Sequence, residues 1–84
     1  MSSAIRQAIV RQFNVIYQEQ RNVPPPSFTD DLILQESGVD SMGFAILITR
    51  LEEDLGFDPF SDADQPFYPR TLGELITYYE NHRR

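Results

Sequence analysis

The chain has no cysteine, no tryptophan and no lysine, and a single histidine, His82. Without cysteine there are no disulfide staples and no thiolate metal ligands. Hydrophobic packing alone must hold the fold together. With one histidine near the end of the chain, a nucleophile paired to an imidazole base has almost nothing to draw on. No apolar run approaches the ~18 residues of a membrane span. The opening Met1-Ser2-Ser3-Ala4-Ile5-Arg6 lacks the apolar region of a secretion signal, so the cytosol is the expected compartment. Positive charge is scarce too. Seven arginines face thirteen acidic residues, a formal net charge of −6. Such a surface repels nucleic acid and anionic membranes and favours basic partners.

What is present reads as helix. Eighty-four residues suit one small domain, residues 1–84, with a modest core. Ile5, Ala8, Ile9, Phe13, Ile16 and Tyr17 recur at helical spacing, which predicts a helix over 4–20 that Ser2 or Ser3 can cap. Residues 22–39 read as a long loop. Pro24-Pro25-Pro26 denies helix there, while Phe28, Leu32 and Leu34 are apolar enough to pin the loop down. A second helix is expected from the Asp40 cap to Gly56, where Phe57 can fold back on Leu51 in a Schellman-type contact. Pro59, Pro66 and Pro69 limit residues 57–70 to irregular chain or one helical turn, with Phe57, Phe60, Phe67 and Tyr68 as anchors. Thr71-Leu72-Gly73-Glu74 is a capping box, and Leu72, Leu75, Ile76 and Tyr79 continue as an apolar face. His82, Arg83 and Arg84 suit that helix's negative end. The expected fold is all-α: a small bundle of three long helices with a short or irregular fourth segment.

The second helix has two apolar stripes. At ~100° per residue, Phe44, Leu47, Ile48, Leu51 and Leu55 form one. Met42, Ala45, Ile46 and Thr49 form another on the opposite side, flanked by Glu52 and Glu53. A central helix buried all round would show the same pattern. The alternative is one core face and one docking face with an acidic rim.

Ser41 opens this helix in the run Gly38-Val39-Asp40-Ser41-Met42. Asp-Ser is a common helix start and by itself says little. As a catalytic nucleophile Ser41 lacks a base and the Gly-x-Ser-x-Gly elbow. As a site modified by another enzyme it is well placed, because a helix N-terminus favours a phosphate group. A calcium loop started at Asp58 or Asp62, with Asp64 nearby, lacks the glycine at the sixth position and the glutamate at the twelfth. No metal site and no catalytic constellation is expected, so the chain reads as a non-enzyme.

The stretch from Leu34 to Phe57, LQESGVDSMGFAILITRLEEDLGF, resembles the signature of acyl carrier proteins. Asp40-Ser41-Met42, the apolar helix, Leu51-Glu52-Glu53 and Gly56 carry the likeness, and the capped final helix falls at the matching distance. The resemblance implies an acyl-carrier-like fold. It implies 4′-phosphopantetheine, taken from coenzyme A and attached to Ser41, whose thiol holds acyl groups as thioesters. Asp40 would support attachment by helping to bind the magnesium of the phosphopantetheinyl transferase. Met42, Ala45, Ile46, Thr49, Glu52 and Glu53 would form the face read by partner enzymes. Those partners would be the transferase, an acyl-loading ligase or synthase, and acyltransferases, with the carrier itself a monomer. Lack of lysine amines and thiols, which attack thioesters, suits such a cargo, although genomic composition bias is the stronger account of it.

The sequence departs from common fatty-acid carriers in three places. Gly43 and Ile46 stand where acidic residues are usual, which makes the expected partner face more apolar. Ser61–Arg70 carries prolines where a short third helix is usual, and the first loop holds three more. These departures point to a specialised lipid, polyketide or acyl-transfer pathway. The competing readings are a peptidyl or aryl carrier loaded by an adenylating ligase, and an unmodified acidic interaction module.

Overall fold

The computed structural model describes residues 4–61 and 68–82. Three helices organise them: α1, Ala4–Arg21; α2, Ser41–Leu55; and α3, Leu72–Asn81. No strand occurs among the described residues. α1 places Ile5, Ala8, Ile9, Phe13 and Ile16 inward, and it packs against both α2 and α3. Gln12 in the middle of α1 meets Asp54 near the end of α2, and Gln20 near the end of α1 meets Asp40 at the start of α2. The two helices therefore run antiparallel. Leu47 and Leu51 from α2 and Leu72, Leu75, Ile76 and Tyr79 from α3 complete the buried core. Phe44, Ile48 and Leu55 pack against it only half-buried, so the inner stripe of α2 is narrower than its spacing suggests.

The loop between α1 and α2 is more ordered than a proline-rich tract predicts. The Phe28 ring lies edge-on to Phe13 at 5.0 Å and to Tyr17 at 5.3 Å. Beyond it, the chain runs beside the start of α3 in a one-residue antiparallel bridge, Ile33 with Thr71. The Leu72 N–H donates to Leu32 O at 2.9 Å and the Gly73 N–H to Asp30 O at 2.8 Å. The opening turn of a helix leaves its N–H groups without intrahelical partners, and here loop carbonyls take two of them. Thr71 caps the helix by accepting from the Glu74 N–H at 3.1 Å. The Glu74 carboxylate returns to the Arg70 N–H at 3.0 Å, one residue earlier than a standard capping box. A single 3₁₀ turn, Leu34–Glu36, then leads into α2.

α2 ends at Gly56, whose φ of 84° belongs to the left-handed region that glycine enters without steric cost. The closing bond, from the Gly56 N–H to Glu52 O at 2.8 Å, is the 5→1 bond of the simple αL cap. Phe57 then turns inward against Tyr79, with ring centroids 5.8 Å apart. Phe60 stacks among Phe44, Tyr78 and Tyr79. Phe57 and Phe60 thus anchor the chain after α2, but Tyr68 does not. It is 85% exposed and lines the cleft beside the start of α2 instead. Residues 62–67 of the expected fourth segment, Pro66 and Phe67 among them, the caps Ser2 and Ser3, and the terminal Arg83 and Arg84 lie outside the described residues.

The Tyr79 hydroxyl is buried without a hydrogen-bond partner among the described residues, and burial pushes its pKa well above the usual phenol value. An unpaired buried hydroxyl costs stability, whereas the ring supplies packing. Tyr79→Phe is therefore expected to leave stability unchanged or to raise it by about 1 kcal/mol. Urea unfolding of the two proteins tests this, and a clear loss of stability in the variant would show that the hydroxyl is paired.

Candidate functional site

The site is built around the first turn of α2. Asp40 is the N-cap, with extended backbone at φ −83° and ψ −176°. Its Oδ1 accepts from the Gly43 N–H at 2.8 Å. The same oxygen accepts from Gln20 Nε2 at 2.9 Å, and the Asp40 N–H donates back to Gln20 Oε1 at 3.2 Å. These bonds, the Gly43 one foremost, hold the Asp40 carboxyl below the usual carboxylate range. Ser41 follows as the first helical residue. It is exposed, and its hydroxyl has no hydrogen-bond partner among the described residues.

Other serines are placed differently. Ser37 is buried and donates to Leu34 O at 2.6 Å. Ser61 donates to Asp58 O at 3.0 Å, and Ser27 lies in the proline-rich loop. His82 sits past the C-terminal end of α3, where its Nδ1 is 2.8 Å from Tyr78 O.

A cleft of about 370 Å³ opens beside Ser41. Leu34, Val39, Phe44, Tyr68 and Pro69 supply its apolar wall, with Gln35 and Asp40 at its polar edge. The 3₁₀ turn brings Leu34 there, and the bridge at Thr71 brings Tyr68 and Pro69. Nothing in the local sequence marks those contributions, since they come from segments far apart in the chain.

On the outer side of α2, Met42 is 70% and Ile46 38% exposed. Ala45, Thr49, Glu52 and Glu53 are exposed on the same helix. A shallow hollow joins Met42, Ala45, Ile46, Thr49 and Glu53 with Arg50, which pairs with Glu19 of α1 at 3.2 Å. Gly43 does not belong to this face. It is buried against α1, and a Cβ there would lie 2.6 Å from Gln20 Oε1 and 2.8 Å from Val39 Cγ1. The absence of a side chain at 43 therefore serves the α1–α2 contact and does not make the outer face more apolar.

Three carboxyls tie the architecture to pH. Besides Asp40, Asp30 is held below its ordinary range by the hydrogen bond from Arg6, and Asp54 by bonds from Gln12 and then Arg11. A carboxyl with a depressed folded pKa stabilises the fold above its unfolded value, ~4. That contribution is lost as pH falls through the lower folded value, because the unfolded chain takes up protons first. The melting temperature is expected to hold from neutrality down to about pH 5 and to fall below it. Asp40→Asn, which retains a capping side chain without the titration, should flatten part of that decline. A melting temperature constant down to pH 3 would contradict the scheme.

A helical unit that offers an unpaired hydroxyl at a helix start, beside an apolar cleft and away from its only imidazole, is suited to being modified. That is the class of a carrier. The family model described as a phosphopantetheine attachment site matches residues 3–78, and the chain belongs to that family. The family is defined by covalently attached 4′-phosphopantetheine, and this chain is a carrier of that group. No curated protein and no solved structure matches the chain. The residues present fit the group. Ser41 offers an exposed hydroxyl at the start of α2, and the adjoining cleft is mostly apolar.

Proposed function

We propose that Ser41 is the attachment residue and that the protein is an acyl carrier serving a specialised pathway in the cytoplasm. The single observation that carries the assignment is the exposed, unpartnered Ser41 hydroxyl immediately after the Asp40 cap. During loading, Ser41 Oγ forms a new O–P bond and gives up its proton to the modifying enzyme. The phosphoanhydride of coenzyme A breaks, and adenosine 3′,5′-bisphosphate leaves. The attached group then supplies a thiol that holds acyl chains as thioesters. Asp40 keeps the helix start rigid at the point of attachment. Met42, Ala45, Ile46 and Thr49, with Glu52 and Glu53 at the rim, form the face offered to partner enzymes.

A second reading, an aryl or peptidyl carrier loaded by an adenylating ligase, is favoured by one feature. Two side chains of the cleft, Phe44 and Tyr68, are aromatic. The deciding experiment loads the chain with coenzyme A, magnesium and a broad-specificity transferase. The product is then offered to candidate acyl and aryl ligases and read by intact mass. Acyl transfer without aryl transfer supports the first reading, and the reverse supports the second. No phosphopantetheine on the chain defeats both.

A further inference from the structure

The end of α1 grips the start of α2 through one side chain. Gln20 accepts from the Asp40 N–H and donates to Asp40 Oδ1, at 3.2 and 2.9 Å. A backbone N–H can only donate, so the orientation of the Gln20 amide follows from the bond itself. Few side chains both accept and donate at this reach, and glutamine does so without charge. The space for it depends on Gly43, because a Cβ there would lie within 2.8 Å of the Gln20 amide carbon.

The clasp is not needed to cap the helix. Asp40 already takes the Gly43 N–H by itself, at 2.8 Å. What Gln20 adds is a constraint from outside α2. It holds both the main chain and the side chain of the residue that precedes Ser41. The peptide leading into Ser41 is therefore fixed to a second helix, not only to its own. Gln20 is exposed at the end of α1 and contributes nothing to the buried core.

We propose that Gln20 is a positioning residue for the modification of Ser41, an inference that rests on Ser41 being the attachment residue. By clasping Asp40 it holds the Ser41 hydroxyl in one direction relative to the bundle, so that an enzyme docked on α2 meets it already aimed. Small misplacements of a reacting group are costly in rate, which gives such a constraint its value. Gln20 touches neither the reacting atoms nor the outer face of α2.

Two variants test this. Gln20→Met keeps length and helix propensity but makes neither bond. Gln20→Glu keeps shape, removes the donor and sets a like charge beside Asp40. Loading by a transferase is followed with saturating coenzyme A over a range of carrier concentration, with melting temperature recorded in parallel. Both variants should lower kcat about tenfold, the scale of one hydrogen bond to a charged group, with KM for the carrier unchanged. Amide NMR shifts at Asp40, Ser41 and Gly43 should move while those of the core stay. Wild-type kcat in Gln20→Met overturns the proposal. So does a rise in KM alone, which would make Gln20 a docking residue, or a loss of rate that only follows the folded fraction. Mapping of the wild-type product separates the two claims. Modification away from Ser41 defeats the attachment assignment itself and with it the clasp, whereas modification on Ser41 with unaffected Gln20 variants defeats the clasp alone.

Discussion

Ser41→Ala is expected to accept no phosphopantetheine at all, while wild-type protein takes up one group per chain. The reason is chemical. The attachment is a phosphodiester to a side-chain hydroxyl, and alanine has none. Of the described serines, Ser37 is buried and committed to Leu34 O, and Ser61 is bonded to Asp58 O. Ser27 is exposed, but it follows Pro24-Pro25-Pro26 and not a helix cap. The substitution should leave the fold intact. Ser41 is exposed, its hydroxyl has no partner among the described residues, and alanine is the best helix former. Helix content by circular dichroism and melting temperature are the controls. Intact mass after incubation with coenzyme A, magnesium and a transferase is the readout. A Ser41→Ala chain that still gains the group would place the attachment elsewhere.

The second large effect is on stability, and it divides neighbouring residues. Leu47→Glu is expected to unfold the domain, and Ile46→Glu is not. Leu47 is 0% exposed within the hydrophobic core, and a carboxylate there has no partner. Burying an unpaired charge costs several kcal/mol. A chain of this length has roughly 0.05–0.15 kcal/mol of stability per residue, so that single cost is comparable to the whole. Ile46 is 38% exposed on the outer face. Its replacement loses some apolar contact, about 1 kcal/mol, and leaves the new carboxylate in water. The same change sets a negative charge in an apolar strip between Met42 and Thr49. It should therefore alter recognition by a native ligase or synthase, by weakening partners matched to an apolar surface and favouring basic ones. Thermal unfolding beside loading kinetics separates the two substitutions. If Ile46→Glu unfolds like Leu47→Glu, the helix has one buried face all round and no docking strip.

Much of this was written in local pattern. The 3.6-residue period located all three helices, because an amphipathic helix must repeat its apolar positions wherever it packs. Asp40 and Thr71 marked two helix starts and Gly56 one end, because caps act on N–H and C=O groups within a turn of themselves. The two stripes of α2 emerged for the same reason. Aromatic content alone could not place Tyr68. A tyrosine reads as an anchor in sequence, and only the fold shows that Tyr68 lies exposed at the cleft beside Ser41, outside the ring contacts of Phe57, Phe60 and Tyr79.

By itself the sequence determined three helices with Asp40-Ser41 at the start of the second, since caps and apolar period are short-range features, and its resemblance to acyl carrier proteins pointed to the family. The tertiary structure decided what surrounds Ser41. Gln20 reaches Asp40 across twenty residues, Gly43 turns inward to admit it, and Leu34, Tyr68 and Pro69 converge on one cleft from separate segments. None of these leaves a periodic trace. Each depends on the antiparallel register of α1 on α2 and on the bridge that ties the long loop to α3, and both are set by the packing of the whole bundle.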